Sequence, residues 1–273
     1  MRVQFIIPSA LSNDDIIGGF AKGLKDALCP SFDIEAVNEH PNLIHVFGAW
    51  QTLSTKTLED AHRRRIPIVF SPLGGLTPWT ICHHDHAAQK TQKQAVRWAD
   101  IVHAAGPEEQ KAVLHWAENR QRVIMLPNPV ITATTTFQQV AKAFSNEYKQ
   151  LSDAHDQRIT EEIARQTEAL QEKNAYIRHI VSATLYLHYW YGRGTLPSTI
   201  LNELADYLIT HDYDEDAIPS ILDAVGMRTF FQQLLQVLSD ITPLTEGFMP
   251  LPAVNDKQSK AMRLMVFPKP ADN

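Results

Sequence analysis

Two cysteines, Cys29 and Cys82, are too few in 273 residues for a disulfide framework, and their scarcity fits a reducing compartment. No stretch reaches the ~18 consecutive apolar residues of a membrane span. The opening MRVQFIIPSA has an apolar run too short for a secretory leader and reads as a first strand. These features set the expectation of a cytoplasmic chain without a transmembrane segment. Positive charge is also scarce: 25 Lys and Arg stand against 31 Asp and Glu, a net charge of −6. The densest basic run is Arg63-Arg64-Arg65 at a helix end, where it offsets the dipole, so no nucleic-acid partner is expected. There is no G-x-S-x-G elbow, no P-loop and no full G-x-G-x-x-G. Cys82-His83-His84-Asp85-His86 has ligand types, but adjacent residues cannot all reach one tetrahedral ion and no distant C-x-x-C or H-x-x-x-H completes a set. No metal is expected.

What is present is alternation. Asn42–Phe47 is apolar and β-branched and stops at Gly48; Leu53–Arg65 has Leu53, Thr57, Leu58 and Ala61 at helical spacing; Pro67 restarts the chain as Ile68-Val69-Phe70, which ends at Pro72-Leu73-Gly74-Gly75. That is a βαβ unit. Around it, Val3–Pro8, Phe32–Val37, Asp100–Ala105 and Arg122–Leu126 read as strands. Asp14–Leu28, with Asn13 or Asp14 as N-cap, Ala87–Trp98 and Glu108–Asn119 read as helices. The pattern predicts an α/β fold, a Rossmann-like doubly wound parallel sheet over residues 1–130.

After residue 130 the composition changes. Residues 1–130 carry 13 basic and 13 acidic side chains, whereas 131–273 carry 12 and 18. Residues 137–173 contain no Gly or Pro, and Val140, Phe144, Tyr148, Leu151, His155, Ile159 and Ile163 form one stripe on a long helix. Tyr176–Tyr191, Pro197–His211, Asp216–Val225 and Thr229–Ile241 supply further helices, so 131–242 reads as an all-α helical region. Prolines 243, 250, 252, 268 and 270 mark 243–273 as an extended or partly disordered tail, with Arg263–Phe267 as a candidate edge strand.

Four segments in order carry a resemblance: Gly18-Gly19 after the first strand, Ile44-His45-Val46-Phe47-Gly48-Ala49-Trp50, Ser71-Pro72-Leu73-Gly74-Gly75-Leu76-Thr77-Pro78-Trp79, and Ala99-Asp100-Ile101-Val102 with Leu126-Pro127-Asn128-Pro129-Val130. Residues 1–130 resemble the N-terminal, acceptor-side domain of the retaining GT-B glycosyltransferases (glycosyltransferase family 4-like). The resemblance implies a nucleotide-sugar donor, a glycan or lipid-linked acceptor, and a role in glycan or polysaccharide biosynthesis. Three departures accompany it. Leu73 stands where the family has a histidine, and leucine cannot move a proton. The Pro-Asn-Pro-Val segment leads into helices rather than into a second, donor-binding α/β domain. The family's paired glutamates and its Arg/Lys pair for the diphosphate have no counterpart.

The candidate ligand-binding residues are Gly18, Gly19, Trp50, Leu73, Gly74, Gly75 and Trp79. The glycine pair could present N–H groups to a phosphate or pack inside a helix. Trp50 and Trp79 follow strand carboxyl ends, where open α/β sheets bind ligands, and could stack on a sugar or pack the loop. His45 reads as a core or sheet-edge histidine. Tyr186, His188, Tyr189, Trp190 and Tyr191 read as core or a partner face. Two readings stay open. One is a divergent or accessory glycosyltransferase-like protein without the usual donor domain. The other is a non-catalytic scaffold whose helical half forms a homo-oligomer or holds a protein partner.

Overall fold

The computed structural model describes residues 1–35, 41–118, 121–170 and 172–266. They form two compact units, Met1–His155 and Asp156–Asn273. In the first, the elements run β1 (Arg2–Ile6), α1 (Ser9–Ser12), α2 (Ile17–Leu28), β2 (Asp33–Glu35), β3 (Leu43–Phe47), α3 (Thr52–Arg63), β4 (Ile68–Ser71), α4 (Pro78–Cys82), α5 (His86–Trp98), β5 (Ile101–Ala104), α6 (Pro107–Trp116) and β6 (Arg122–Met125). α7 (Phe137–Ala169) begins in this unit. All pairings are parallel and the strand order is β2-β1-β3-β4-β5-β6. The sheet therefore grows in opposite directions from β1, and the switch point lies between β1 and β3.

The period of two along each strand decides the layers. Leu43 and Phe47 of β3 join Val3, Phe5 and Val69 under α2 and α7, with Phe20, Leu24, Phe144 and Tyr148. Ile44 and Val46 of the same strand join Phe70 and Val102 under α3, α5 and α6, with Leu58, Ala95, Val96 and Val113. Helices thus cover both faces, as continuous apolar parallel strands require. Fully burying a side chain such as Phe144 (0% exposed) contributes about 1.5–3 kcal/mol. α7 begins in a close contact: a Cβ added at Gly23 of α2 would stand 2.4 Å from the Phe137 ring.

The second unit holds the rest of α7 with α8 (Ala175–Gly192), α9 (Ser198–Thr210), α10 (Ile218–Ala224), α11 (Arg228–Ile241) and α12 (Lys257–Val266). Ile163, Ile180, Leu204, Leu208, Phe231, Leu234 and Met262 share one core. Asn174 caps α8, accepting from Tyr176 and Ile177 N–H. Arg193, 7% exposed, donates to Asp156 and to the Tyr189 hydroxyl, which also donates to Asp156. No strand occurs among the described residues of this unit, and no described helix is long and apolar enough to cross a membrane.

The α/β-then-helical reading holds, with specific corrections. Arg263–Phe267 is not an edge strand: Arg263–Val266 closes α12, and Phe267 lies outside the described residues. Asp256 starts that helix by accepting from Gln258 and Ser259 N–H, so residues 243–266 are a folded part of the helical core, with Leu244, Leu251 and Met262 buried. Leu53 does not face the α3 core but is 51% exposed; Ser54 takes the buried place and donates to Phe47 O. The helix expected over Asp14–Leu28 begins three residues later, at Ile17, because Asp14 Oδ1 accepts from the N–H groups of Ile16 and Ile17 at its start; the preceding Ser9–Ser12 forms the separate short helix α1. The strand expected over Phe32–Val37 is described only as Asp33–Glu35, and its last two residues lie outside the described set, as does Asn119 of the helix expected to end there. Pro107 does occupy the first turn of α6, where a missing N–H costs nothing.

Candidate functional site

The loops at the strand carboxyl ends of the first unit gather most of the candidate residues. Gly18 and Gly19 sit in the first turn of α2. A Cβ at Gly18 would meet Ser12 O at 2.3 Å, so glycine is there to let α1 cross. Gly19 faces Val130 and donates its N–H to Asp14 O. The free amides that begin α2 are taken internally: Asp14 Oδ1 accepts from Ile16 N–H at 2.9 Å and Ile17 N–H at 2.6 Å. A carboxylate of the chain stands where an anion would bind.

The turn after β4 repeats this. Glu109 stands at the third position of α6, from which an acidic side chain folds back over the helix start. Its Oε1 accepts from Gly74 N–H at 2.8 Å and Leu76 N–H at 3.0 Å, and Oε2 accepts from Ala105 N–H at 2.9 Å. Glu109 is 1% exposed, and burial pushes its pKa up, opposed by those three amide bonds. Gly75 abuts β3, a Cβ there falling 2.7 Å from that of Ala49. Leu73 is buried with φ +52°, and Trp50 has φ +62°, left-handed values that cost a side-chain-bearing residue about 1–2 kcal/mol.

Trp50 is half-buried and held at three points. Its amide donates to Gln92 Oε1 at 2.7 Å, its indole Nε1–H to Gly75 O at 2.5 Å, and its ring stacks on His84 at 3.8 Å and 11°. Its face is covered by an imidazole where a sugar would lie. Trp79 is separate: 73% exposed in α4, it packs its ring on His83 at 4.3 Å. Among the described residues no group of three or more His, Cys, Asp or Glu could hold a metal, and Cys82 and His83 both fold back on Trp79 O.

A cleft of about 280 Å³ opens at the carboxyl ends of β5 and β6, between Gly106, Pro107, Asn128, Ile131 and Thr132. None of its lining side chains is ionisable. His45 is wholly buried and bonded on both nitrogens, to Tyr148 Oη at 2.5 Å and Ser71 Oγ at 2.6 Å. Ser71 and His103, also wholly buried, continue this chain at 2.9 Å, and His103 Nε2 reaches Leu126 O at 2.8 Å. His40 lies outside the described residues. Sequence reasoning missed Glu109, Ser71, His103 and Tyr148 as interacting groups. The one local signal was an acidic residue three places after Gly106 at a helix start.

No protein-family model, curated protein or solved structure matches this chain. The fold defines its class: a doubly wound, all-parallel α/β unit joined in sequence to a unit whose described residues are helical.

Proposed function

We propose that this protein is a non-catalytic accessory scaffold built on a glycosyltransferase-like α/β unit, with the helical unit as its partner-holding half. The carrying observation is that amide donors at both glycine turns are already bonded to carboxylates of the same chain, Asp14 at α2 and Glu109 at Gly74 and Leu76. A sugar diphosphate brought to either turn meets a carboxyl group of the chain and finds those N–H groups engaged. Leu73 at the family's histidine position supports the same reading, since it offers no proton-transfer group. So does the His84 ring over Trp50.

The test is thermal melting of the full chain against UDP-, GDP-, CMP- and dTDP-sugars and their free nucleotides at millimolar concentration. The scaffold reading expects no shift with any of them. A ligand at 100 times its Kd would stabilise the native state by about 2.7 kcal/mol, a readily measured rise in melting temperature. A dose-dependent rise with one nucleotide sugar would overturn the reading in favour of a divergent transferase.

A further inference from the structure

The buried chain Tyr148–His45–Ser71–His103–Leu126 O has only one arrangement of protons that satisfies every member. Leu126 O can only accept, so His103 Nε2 carries a hydrogen and donates to it. A neutral His103 then has Nδ1 as an acceptor, and the Ser71 hydroxyl donates to it. The Ser71 oxygen in turn accepts from His45 Nε2–H. His45 Nδ1 is left as an acceptor for the Tyr148 hydroxyl. All four bonds point one way, from α7 across β3, β4 and β5 to the end of β6.

An added proton cannot be absorbed where it enters. On His45, it places a hydrogen on Nδ1, which donates to the Tyr148 oxygen. The charge reaches His103 by relay from a protonated His45: the Nε2 proton of His45 passes to Ser71 Oγ as the serine hydroxyl proton passes to His103 Nδ1, the new serine hydroxyl donates to His45 Nε2, and His45 Nδ1–H still donates to Tyr148. In both cases the unmatched group is the Tyr148 hydroxyl hydrogen, which loses its acceptor. Among the described residues the Tyr148 hydroxyl has no other hydrogen-bond partner; it is 0% exposed, with Phe32 and Phe144 against its ring. The groups facing the imidazoles are Phe5 from β1, Phe47 from β3, Phe20 from α2, Ser71 from β4, and Phe144 and Tyr148 from α7. Among the described residues the charge–charge interaction acting on His45 is repulsion by a charged His103. No described carboxylate is there to hold either imidazolium.

We propose that this chain is a proton-operated latch, in which protonation of either buried histidine is relayed to Tyr148 and frees residues 137–155 of α7 from the sheet. Burial pulls the pKa of His103 down to about 4 and that of His45 well below its ordinary value, so both imidazoles are neutral and the latch is closed at neutral pH. This inference does not depend on the scaffold reading.

The experiment is hydrogen exchange of the full chain from pH 7.5 to 4.5, corrected for intrinsic rates, with the histidine protonation state followed by NMR. One linked proton makes the opening constant of residues 137–155 rise about tenfold per pH unit below about 6.5. The amides of β3 and β4 stay protected over the same range. In His103→Asn, which keeps a neutral hydrogen-bonding group, opening moves to lower pH. Simultaneous loss of protection in α7 and β3–β4, or α7 opening in the wild-type chain with no pH dependence, would overturn the latch. If the variant does not fold, those wild-type exchange and NMR readouts decide alone.

Discussion

Glu109 Oε1 accepts the amide hydrogen of Gly74 at 2.8 Å, tying the turn after β4 to the helix after β5. With the bonds to Leu76 and Ala105, one carboxyl group serves three backbone donors. Glu109→Ala is expected to lower the stability of the α/β unit by about 2–4 kcal/mol, since buried donors left unmatched cost about 1–3 kcal/mol each before relaxation. The pH dependence has a definite sign. Because burial raises the folded pKa of Glu109, the folded state keeps the proton that the unfolded chain releases. The wild-type contribution is full below the ordinary carboxylate range and declines as pH rises through the folded value. The deficit of the alanine variant should therefore be larger at pH 4 than at pH 7, measured by paired denaturant melts.

Leu73→His places an imidazole at the position where the resemblance expects one. Leu73 is 6% exposed, within the cluster that includes Phe5 and Phe20. A polar ring with no waiting partner there should cost about 1–3 kcal/mol. It should also confer no transferase activity, because the turn's donors stay bonded to Glu109. Melting and a donor-hydrolysis assay check both halves of the prediction.

The two core histidines should shape the acid limb of stability. With His103 neutral and its pKa near 4, against about 6.5 unfolded, the unfolded chain binds the proton first as pH falls. The contribution is complete above about pH 6.5 and disappears as pH drops toward 4. Stability at pH 5 should be lower than at pH 7 by about 2 kcal/mol from His103 alone. Urea melts at the two pH values, with His103→Asn as the comparison, measure it.

In the helical unit, Asp156→Ala removes the carboxylate from a guanidinium that is 7% exposed and lies over the Tyr189 and Trp190 rings. Loss of one partner of a buried ion pair costs about 3–5 kcal/mol. The partial exposure of Asp156, 31% at its side chain, brings the expected loss to about 2–3 kcal/mol. Arg193→Met, which removes the charge itself, should cost less. Calorimetry of the two variants ranks them.

The parts of this fold visible in the sequence were those carried by local pattern. The β-branched run of β3, the stripe from Val140 to Ile163 and Pro107 at a helix start all act over a few residues. The errors arose where a side chain acts against its local pattern. Ser54 displaced Leu53 from the α3 core by bonding Phe47 O, and Asp256 started a helix in a proline-rich stretch. The site was less visible still. His45 meets Tyr148 across 103 residues and Ser71 across 26, and Glu109 meets Gly74 across 35, separations at which no spacing rule applies. Gly74 looked like a place for a ligand because a glycine turn at a strand end is generic; what fills it is specific to the tertiary fold.

The missing side chain at Gly23 reaches further than the ring it admits. Phe137, which fits against that bare backbone, is the first residue of α7, and Tyr148 follows eleven residues later. At 3.6 residues per turn, that interval is close to three full turns, so the two rings fall on one side of the helix. The glycine acts as an index mark from which the helix is dialled. One residue inserted between the two marks would turn Tyr148 about 100° away from His45 and advance it about 1.5 Å. Lengthening residues 131–136, ahead of the mark, would leave the dial setting unchanged.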